Sequence, residues 1–312
     1  MSTATVAPNG AQAEACSAPS ELALAGARCF GLHNRRGDPY RIMTWASPAI
    51  AGAAPAPVLY MLDANASFLT AAEALRLRSE RPEFSGVVPG LVVGIGYPTS
   101  QPFEMTRRSY DYTPPADTWL LPERPDGSDW PPMGGADEFL DFIETTLKPR
   151  IESDHSIDRN RQAIFGHSFG GLFVMHALFT RPASFQTYIA ASPSIWLNDR
   201  FILREERTFA QSAVRPAGRQ LLMAVGTTEQ DASGINSENR ALRRHAAFKR
   251  DNRMVDNARD LAARLSSLPP EQLDVRYQEF PGEDHISVLP AAISRAVGVA
   301  FARPDDQESQ SA

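Results

Sequence analysis

The sequence predicts an α/β protein with a mostly parallel, eight-stranded sheet that is covered by helices on both faces. Short apolar runs typical of buried strands recur along the chain, and stretches with helical periodicity alternate with them. The chain has 312 residues, 43% of them hydrophobic, and can therefore bury a large core. We expect one domain over residues 25–303, between disordered tails at 1–24 and 304–312.

Eight segments have the pattern of strands. The first two, ARCFGLHNR and YRIMTWA, flank the turn RGDP and are expected to pair antiparallel. The other six are interpreted as strands of a parallel sheet, because most of them are short and apolar. In chain order these six are PVLYMLD, GLVVGIGY, RQAIFGHS, TYIAASP, QLLMAVG and DVRYQEF.

Helices are expected between these strands, since alternating strands and helices are typical of a parallel sheet covered on both faces. One of these segments is strongly basic, with six Lys and Arg residues between positions 240 and 253, and we expect its charged face to be solvated rather than a docking patch. The predicted helices cover residues 67–80, 137–152, 170–179, 199–210, a long polar helix within 237–266, and 287–302.

One segment, residues 113–135, interrupts the alternation. It contains six prolines, three glycines and two of the four tryptophans, and it is too long for an ordinary connection. Two interpretations stay open. The segment is either an irregular surface loop packed by its own aromatic side chains, or a flap over a binding site, because long loops that carry aromatic residues often contact ligands.

Composition argues against several classes of protein. The net charge of −6 disfavours a nucleic-acid binder or a protein that binds anionic membranes. Cys16 and Cys29 are expected to be reduced thiols, and no Cys and His residues have the spacing of a metal site. The first twenty residues lack the pattern of a secretory leader, and no apolar run is long enough to cross a bilayer, so we expect a cytoplasmic protein.

The most informative motif is GHSFG at residues 166–170, which matches G-x-S-x-G between a predicted strand and a predicted helix. In this context Ser168 is expected on a sharp turn called the nucleophile elbow, with its hydroxyl exposed at the carboxyl edge of the sheet. The glycines are needed because helix and strand pack closely there. Ser168 is therefore our candidate nucleophile.

A serine nucleophile requires a base, and in proteins with this elbow the order along the chain is serine, acid, histidine. His285, just after the last predicted strand, is our candidate base, since the other histidines precede the serine, flank it, or lie in the basic helix. The acid is expected after the preceding strand, where Glu229 and Asp231 are alternatives, with Glu229 the nearer to the strand end. A serine–histidine dyad without an acid is also open.

Two backbone N–H groups are expected to stabilise an oxyanion. One belongs to Phe169, the residue after the candidate nucleophile, and the other to the turn DANAS after the third predicted strand. Within that turn we favour Ala64, because its short side chain permits close approach of a carbonyl group, and Asn65 is the alternative. The turn could instead serve only to cap the helix that follows it.

Several motifs together resemble one family. The runs YMLDANA, GIGYP, RRSYDYTP, GHSFGGLFV, SPSIW and EDH are similar to the "putative esterase" branch of the α/β hydrolases, above all to esterases of catecholate siderophores such as enterobactin and salmochelin. The resemblance covers residues 26–302 and implies the α/β-hydrolase fold. It matches Ser168 and His285 to the family's catalytic serine and histidine. Some family members are described as dyads, and the family often has glycine where this chain has Ala64.

The resemblance also implies a function and a set of substrate contacts. It predicts a serine esterase that needs no cofactor and opens the trilactone of a ferric catecholate siderophore through an acyl-enzyme. Other acyl, feruloyl, acetyl or thioester substrates remain alternatives, as does a non-catalytic binding protein of the same fold. Substrate contacts are assigned to Arg107, Arg108, Tyr112 and Trp196 of the two most specific motifs, although the arginines could instead form surface ion pairs.

Overall fold

The part of the chain that the structure describes contains one continuous sheet of eight strands. The computed structural model describes residues 23–52, 54–212, 216–233, 235 and 239–303. The tails expected at 1–24 and 304–312 lie outside this range except for positions 23 and 24, and Cys16 lies outside it as well. The strands are β1 (Arg28–His33), β2 (Pro39–Ala46), β3 (Ala56–Met61), β4 (Leu91–Gly96), β5 (Ile157–His167), β6 (Thr187–Ala191), β7 (Arg219–Gly226) and β8 (Leu273–Phe280).

The strand order places the carboxyl ends of six parallel strands at one edge. The order is β1-β2-β4-β3-β5-β6-β7-β8, in which β2 pairs antiparallel with both β1 and β4 and all later pairs are parallel. The predicted mostly parallel sheet, with an antiparallel pair at its start, is thus confirmed. Because β5, β6, β7 and β8 are parallel neighbours, the loops that follow them meet at the same edge.

Helices cover both faces of the sheet. Val58 and Tyr60 of β3 belong to one buried cluster, whereas Leu59 and Met61 between them belong to another, as expected for a strand buried on both sides. The helices are α1 (Ala64–Ser79), α2 (Pro82–Ser85), α3 (Met105–Asp111), α4 (Ala136–Phe142), α5 (Lys148–Asp154), α6 (Phe169–Thr180), α7 (Leu197–Arg200), α8 (Ile202–Gln211), α9 (Arg240–Asn252), α10 (Met254–Leu265) and α11 (Val288–Ala300).

The two faces have different helices. Buried side chains of α4, α6, α8 and α10 pack in the first cluster, and those of α1 and α11 pack in the second. Helix α6 runs through the first cluster with all its residues from Phe169 to Phe179 buried, which explains why its sequence is apolar on every side. In the described part of the chain, no helix has the length and apolar character needed to cross a membrane.

The helices differ from the sequence-based expectation in several places. The long polar helix divides into α9 and α10 at Arg253, whose φ of 45° is left-handed and ends the first helix. Helix α1 begins at Ala64, three residues earlier than predicted, directly after the left-handed Asp63. Helix α3 was not predicted, because its seven residues are too few to show a periodic pattern.

A buried ion cluster on α6 makes stability depend on pH. The side chain of His176 is 2% exposed, with Nδ1 2.9 Å from Glu205 Oε2 and Nε2 3.3 Å from Asp137 Oδ1. Burial opposes the charge on the ring, but the hydrogen bonds and charges of the two carboxylates outweigh it and raise the pKa of His176 to about 9. The protonated ring therefore stabilises the folded state by about 3 kcal/mol below pH 6.5, and this contribution is lost as the pH rises through 9.

Replacing His176 with Gln should remove this pH dependence. We expect His176→Gln to lower the free energy of unfolding by roughly 2 kcal/mol at pH 6 and by much less at pH 10. Urea unfolding at both pH values measures the difference, and His33→Gln, at an exposed position, is the control. Parallel pH profiles for the parent and the His176→Gln variant would contradict the assignment.

Candidate active site

Ser168 lies on the sharp turn that the motif predicted. It occupies the single position between the end of β5 and the start of α6, with φ 61° and ψ −117°. The turn depends on two glycines: a Cβ at Gly166 would lie 2.2 Å from the carbonyl oxygen of Gly170, and one at Gly171 would lie 2.8 Å from that of Ala191. Any side chain at these positions would collide with backbone, so the glycines permit the close approach of strand and helix.

His285 and Glu229 meet Ser168 at the carboxyl edge of the sheet. Nε2 of His285, in the loop after β8, is 3.0 Å from Ser168 Oγ, and Nδ1 is 2.7 Å from Oε2 of Glu229, in the turn after β7. The carboxylate of Glu229 is fully buried, whereas the imidazole is 37% exposed. The three side chains form a hydrogen-bonded chain from a buried acid to an accessible hydroxyl.

The other oxygen of Glu229 is held by two donors. The N–H of Gly226 donates to Oε1 at 2.7 Å, and the hydroxyl of Ser192, the first residue of the SPSIW motif, donates to it at 2.5 Å. Asp231, the alternative acid, is exposed, and its Oδ1 accepts a hydrogen bond from the N–H of Ser233 at 2.8 Å. The structure therefore brings Glu229, and not Asp231, to His285.

The SPSIW motif supplies a second hydroxyl beside that of Ser168. Ser194 Oγ is 3.4 Å from Ser168 Oγ, and the Ser194 N–H donates to the carbonyl oxygen of Ser168 at 3.2 Å. His167, just before Ser168, is buried with its ring centroid 4.6 Å from that of His285. Burial, reinforced by the electrostatic effect of the neighbouring His285 and Arg108 side chains, lowers the pKa of His167 well below its usual range, so this ring stays neutral.

Each of the two candidate oxyanion donors is the first residue of a helix. Phe169 is the first residue of α6 and Ala64 the first of α1, so their N–H groups have no carbonyl partner inside the helix. The side chain of Asn65 is hydrogen-bonded to other residues. Its Oδ1 accepts a hydrogen bond from the N–H of Tyr97 at 2.9 Å, and its Nδ2 donates to the carbonyl oxygens of Tyr97 and Thr99. Only the backbone of Asn65 could therefore serve as the alternative donor.

The four predicted substrate-contact residues occupy different places. Trp196 and Arg108 line the cavity beside Ser168. Tyr112 is fully buried, and its hydroxyl accepts a hydrogen bond from the N–H of Asp63 at 3.2 Å, so it cannot touch a ligand in this arrangement. Arg107 does not line the cavity: its guanidinium stacks over the rings of Tyr40 and Tyr97, 3.5 Å from Asp111 Oδ2.

The cavity over Ser168 has a volume of about 430 Å³, a size suited to a small-molecule ligand. Four aromatic rings line it, and Trp196 stands among the other three at centroid distances of 5.2 to 6.3 Å. Three cationic side chains line it as well. The rings belong to Trp130, Phe169, Trp196 and Phe248, and the cations are Arg108, Arg124 and Lys249.

Part of this lining comes from residues 113–135, the segment for which two interpretations were open. The segment has no regular secondary structure, and its Arg124, Pro125 and Trp130 line the cavity. Side chains from two other elements hold it: Asn198 bonds the backbone of Thr118 and Leu120, and Arg244 donates to the carbonyl oxygen of Pro125 at 3.0 Å. The position over the cavity favours the flap interpretation.

Helix α9 is the contribution to the site that sequence reasoning missed. We expected its charged face to be solvated, but Phe248 and Lys249 line the cavity, together with His245 and Asn252 of the same helix. The spacing of 245, 248, 249 and 252 is that of one helical face, so the sequence did contain a signal. Nothing local indicated that this face lies over Ser168.

Comparison with known proteins places the chain in a family. A family model described as "Putative esterase" matches residues 47–260. Ferri-bacillibactin esterase BesA of Bacillus subtilis is 46% identical over 250 residues, 80% of each chain. The siderophore enterobactin esterase of Emericella nidulans is 41% identical over 276 residues, 84% of this chain and 89% of that protein.

The likeness extends to three dimensions. The solved structure of siderophore hydrolase EstA from Aspergillus nidulans superposes with a TM-score of 0.80 at 36% identity, covering 91% of this chain and 98% of that one. Agreement over nearly the whole of both chains confirms the predicted α/β-hydrolase fold. From the matched family model, these relatives and the shared fold together, the chain belongs to the Esterase family.

Proposed function

We propose that the protein is a serine hydrolase that cleaves carboxylic esters of siderophores. The observation that carries the mechanism is the chain of contacts from Glu229 through His285 to Ser168, with distances of 2.7 and 3.0 Å. A histidine within hydrogen-bond reach of a serine hydroxyl, and itself oriented by a buried carboxylate, is the arrangement that activates serine as a nucleophile.

In the proposed reaction, Ser168 Oγ attacks the ester carbonyl carbon while its proton passes to Nε2 of His285. The N–H groups of Phe169 and Ala64 stabilise the negative charge on the carbonyl oxygen. The bond to the alcohol oxygen then breaks, and His285 gives the proton to that oxygen. Water attacks the acyl-enzyme in the same way, with His285 first accepting its proton and then returning it to Ser168.

The cavity supports a substrate that is both aromatic and anionic. Its rings can stack on flat aromatic groups, and Arg124 and Lys249 can pair with negatively charged oxygens. A ferric catecholate siderophore has both properties. The similar proteins of Bacillus subtilis and Emericella nidulans are named as esterases of ferri-bacillibactin and of the siderophore enterobactin. The same catalytic groups would serve other esters, so the lining of the cavity must supply the selectivity.

Measurement of kcat/KM tests the substrate. Ferric enterobactin, iron-free enterobactin and p-nitrophenyl acetate should be compared at one pH and salt concentration. We expect a preference for the siderophore of at least roughly a hundredfold, which requires about 3 kcal/mol of additional transition-state binding. A preference for p-nitrophenyl acetate by orders of magnitude would overturn the substrate proposal while leaving the serine mechanism intact.

A further inference from the structure

Arg108 and Asp63 form an ion pair beneath the active site. Arg108 Nε donates to Asp63 Oδ1 at 3.0 Å, and Nη2 donates to Oδ2 at 2.9 Å, so the contact is bidentate. The two side chains are 5% and 4% exposed. Such a geometry fixes the relative orientation of both groups, because a guanidinium and a carboxylate meet in one plane.

The pair connects both halves of the proposed oxyanion site. Asp63 directly precedes Ala64, and Nη2 of Arg108 lies 3.4 Å from the carbonyl oxygen of His167, which directly precedes Ser168. One guanidinium therefore contacts Asp63, the residue before one donor, and His167, two residues before the other donor. Tyr112 adds a further contact, since its hydroxyl accepts the N–H of Asp63 at 3.2 Å.

The backbone of Asp63 explains why such a support is needed. Its φ of 49° and ψ of 45° are left-handed, a conformation that is uncommon for residues other than glycine and that surrounding contacts help to hold. An aspartate before a helix commonly caps it with its carboxylate, but the side chain of Asp63 makes no capping bond. Both of its oxygens are instead bound by Arg108.

The RRSYDY motif provides this support from a single helix face. Arg108 and Tyr112 are four residues apart at the end of α3, a spacing that puts both side chains on the same side. Both contact Asp63, one through the carboxylate and one through the backbone N–H. The resemblance assigned an arginine of this motif to the substrate, whereas these contacts are to the protein itself.

We propose that Arg108 is a positioning residue, which acts through Asp63 and the carbonyl group of His167 to hold the two oxyanion donors in register. This inference rests on the proposed serine mechanism. Donors that are fixed before the reaction stabilise the transition state more than the bound substrate. Loss of the ion pair should therefore lower kcat and leave KM for a neutral ester nearly unchanged.

The test uses Arg108→Gln, Asp63→Asn, the double variant and Arg108→Lys. With neutral p-nitrophenyl acetate, we expect each of the first three to lower kcat by roughly a hundredfold with KM within about threefold of the parent. Arg108→Lys keeps the charge but not the bidentate geometry, so it should lose about tenfold. Arg76→Gln is the matched control, because Arg76 forms a bidentate pair with Glu73 on the surface of α1.

A trifluoromethyl ketone separates positioning from folding. The Ser168 oxygen adds to the carbonyl carbon of this inhibitor, and the carbonyl oxygen becomes an oxyanion that resembles the transition state. The inhibition constant should therefore rise by the same factor as kcat falls. Single variants leave a buried charge unpaired and should unfold at lower temperature, whereas the double variant removes both charges and should recover much of the stability but not the activity. Recovery of activity along with stability would show a merely structural role and overturn the proposal.

Two further outcomes are distinguishable. If Arg108→Gln raises KM for the anionic ester p-nitrophenyl hemisuccinate and leaves kcat for p-nitrophenyl acetate unchanged, Arg108 contacts the substrate and the positioning role is wrong. If Ser168→Ala retains the parental rate in the same assay, the serine mechanism itself fails, whatever the effect of Arg108.

Discussion

Replacing Ser168 with Ala should reduce kcat for any ester substrate by at least about 10⁴-fold, because no other group in the proposed mechanism forms the acyl-enzyme. The fold should be unaffected, since alanine adds no atoms at the turn. The measurement is steady-state hydrolysis of p-nitrophenyl acetate and of ferric enterobactin. A fluorophosphonate that labels the parent stoichiometrically should not label this variant.

The matched control is Ser194→Ala. The hydroxyl of Ser194 lies 3.4 Å from that of Ser168, and Ser194 lines the same cavity. The imidazole of His285 bonds the Ser168 hydroxyl instead, through Nε2. We expect a loss of about tenfold or less, as for removal of one neutral hydrogen bond. If the two variants lost the same activity, the rates alone would not identify the nucleophile. Labelling by the fluorophosphonate would then decide: the mechanism requires that Ser194→Ala is still labelled.

Replacing Glu229 with Gln should reduce kcat by roughly 10³- to 10⁴-fold. An amide cannot accept hydrogen bonds on both sides as the carboxylate does from His285, Gly226 and Ser192. If its NH₂ group faces His285, the ring takes the tautomer with the proton on Nε2, which cannot accept the proton of Ser168. Without the carboxylate, the positive charge that the ring acquires in the transition state loses its buried, hydrogen-bonded anionic partner.

Asp231→Asn is the control for this prediction, since Asp231 was the alternative acid and the substitution is of the same kind. The side chain is exposed and accepts a hydrogen bond from the N–H of Ser233 in its own turn, so kcat should stay within about twofold of the parent. A large loss in Asp231→Asn together with normal activity in Glu229→Gln would reverse the assignment. Normal activity in both would favour a serine–histidine dyad.

Much of the architecture could be predicted from the sequence because the signals are local. The apolar strands from PVLYMLD to QLLMAVG match β3 to β7, since a strand buried on both faces must be apolar throughout. The elbow at Ser168 was equally clear, because the G-x-S-x-G motif is local and Gly166 is required by a backbone contact with Gly170, four residues away. Helix α3, by contrast, was too short to leave a periodic pattern.

The set of residues that form the candidate site could be predicted only in part. The order serine, acid, histidine narrowed the acid to Glu229 or Asp231, but both follow β7 within a few residues, and only the course of the turn shows which reaches His285. Similarly, the RRSYDY motif identified Arg108 as important without revealing that its partner is Asp63, 45 residues earlier in the chain. Contacts of this kind depend on which loops meet.

The sequence by itself thus determined the succession of the strands and of most helices, the position of the candidate nucleophile and the histidine proposed to serve it. These follow from periodicity and steric requirements within short stretches of chain. Only the tertiary structure decided that Glu229 supports His285, that α9 and residues 113–135 form the cavity, and that Arg108 binds Asp63. The reason is that a parallel sheet brings together loops that are distant in sequence. Hydrogen bonds between the side chains of such loops leave no pattern within any short stretch of sequence.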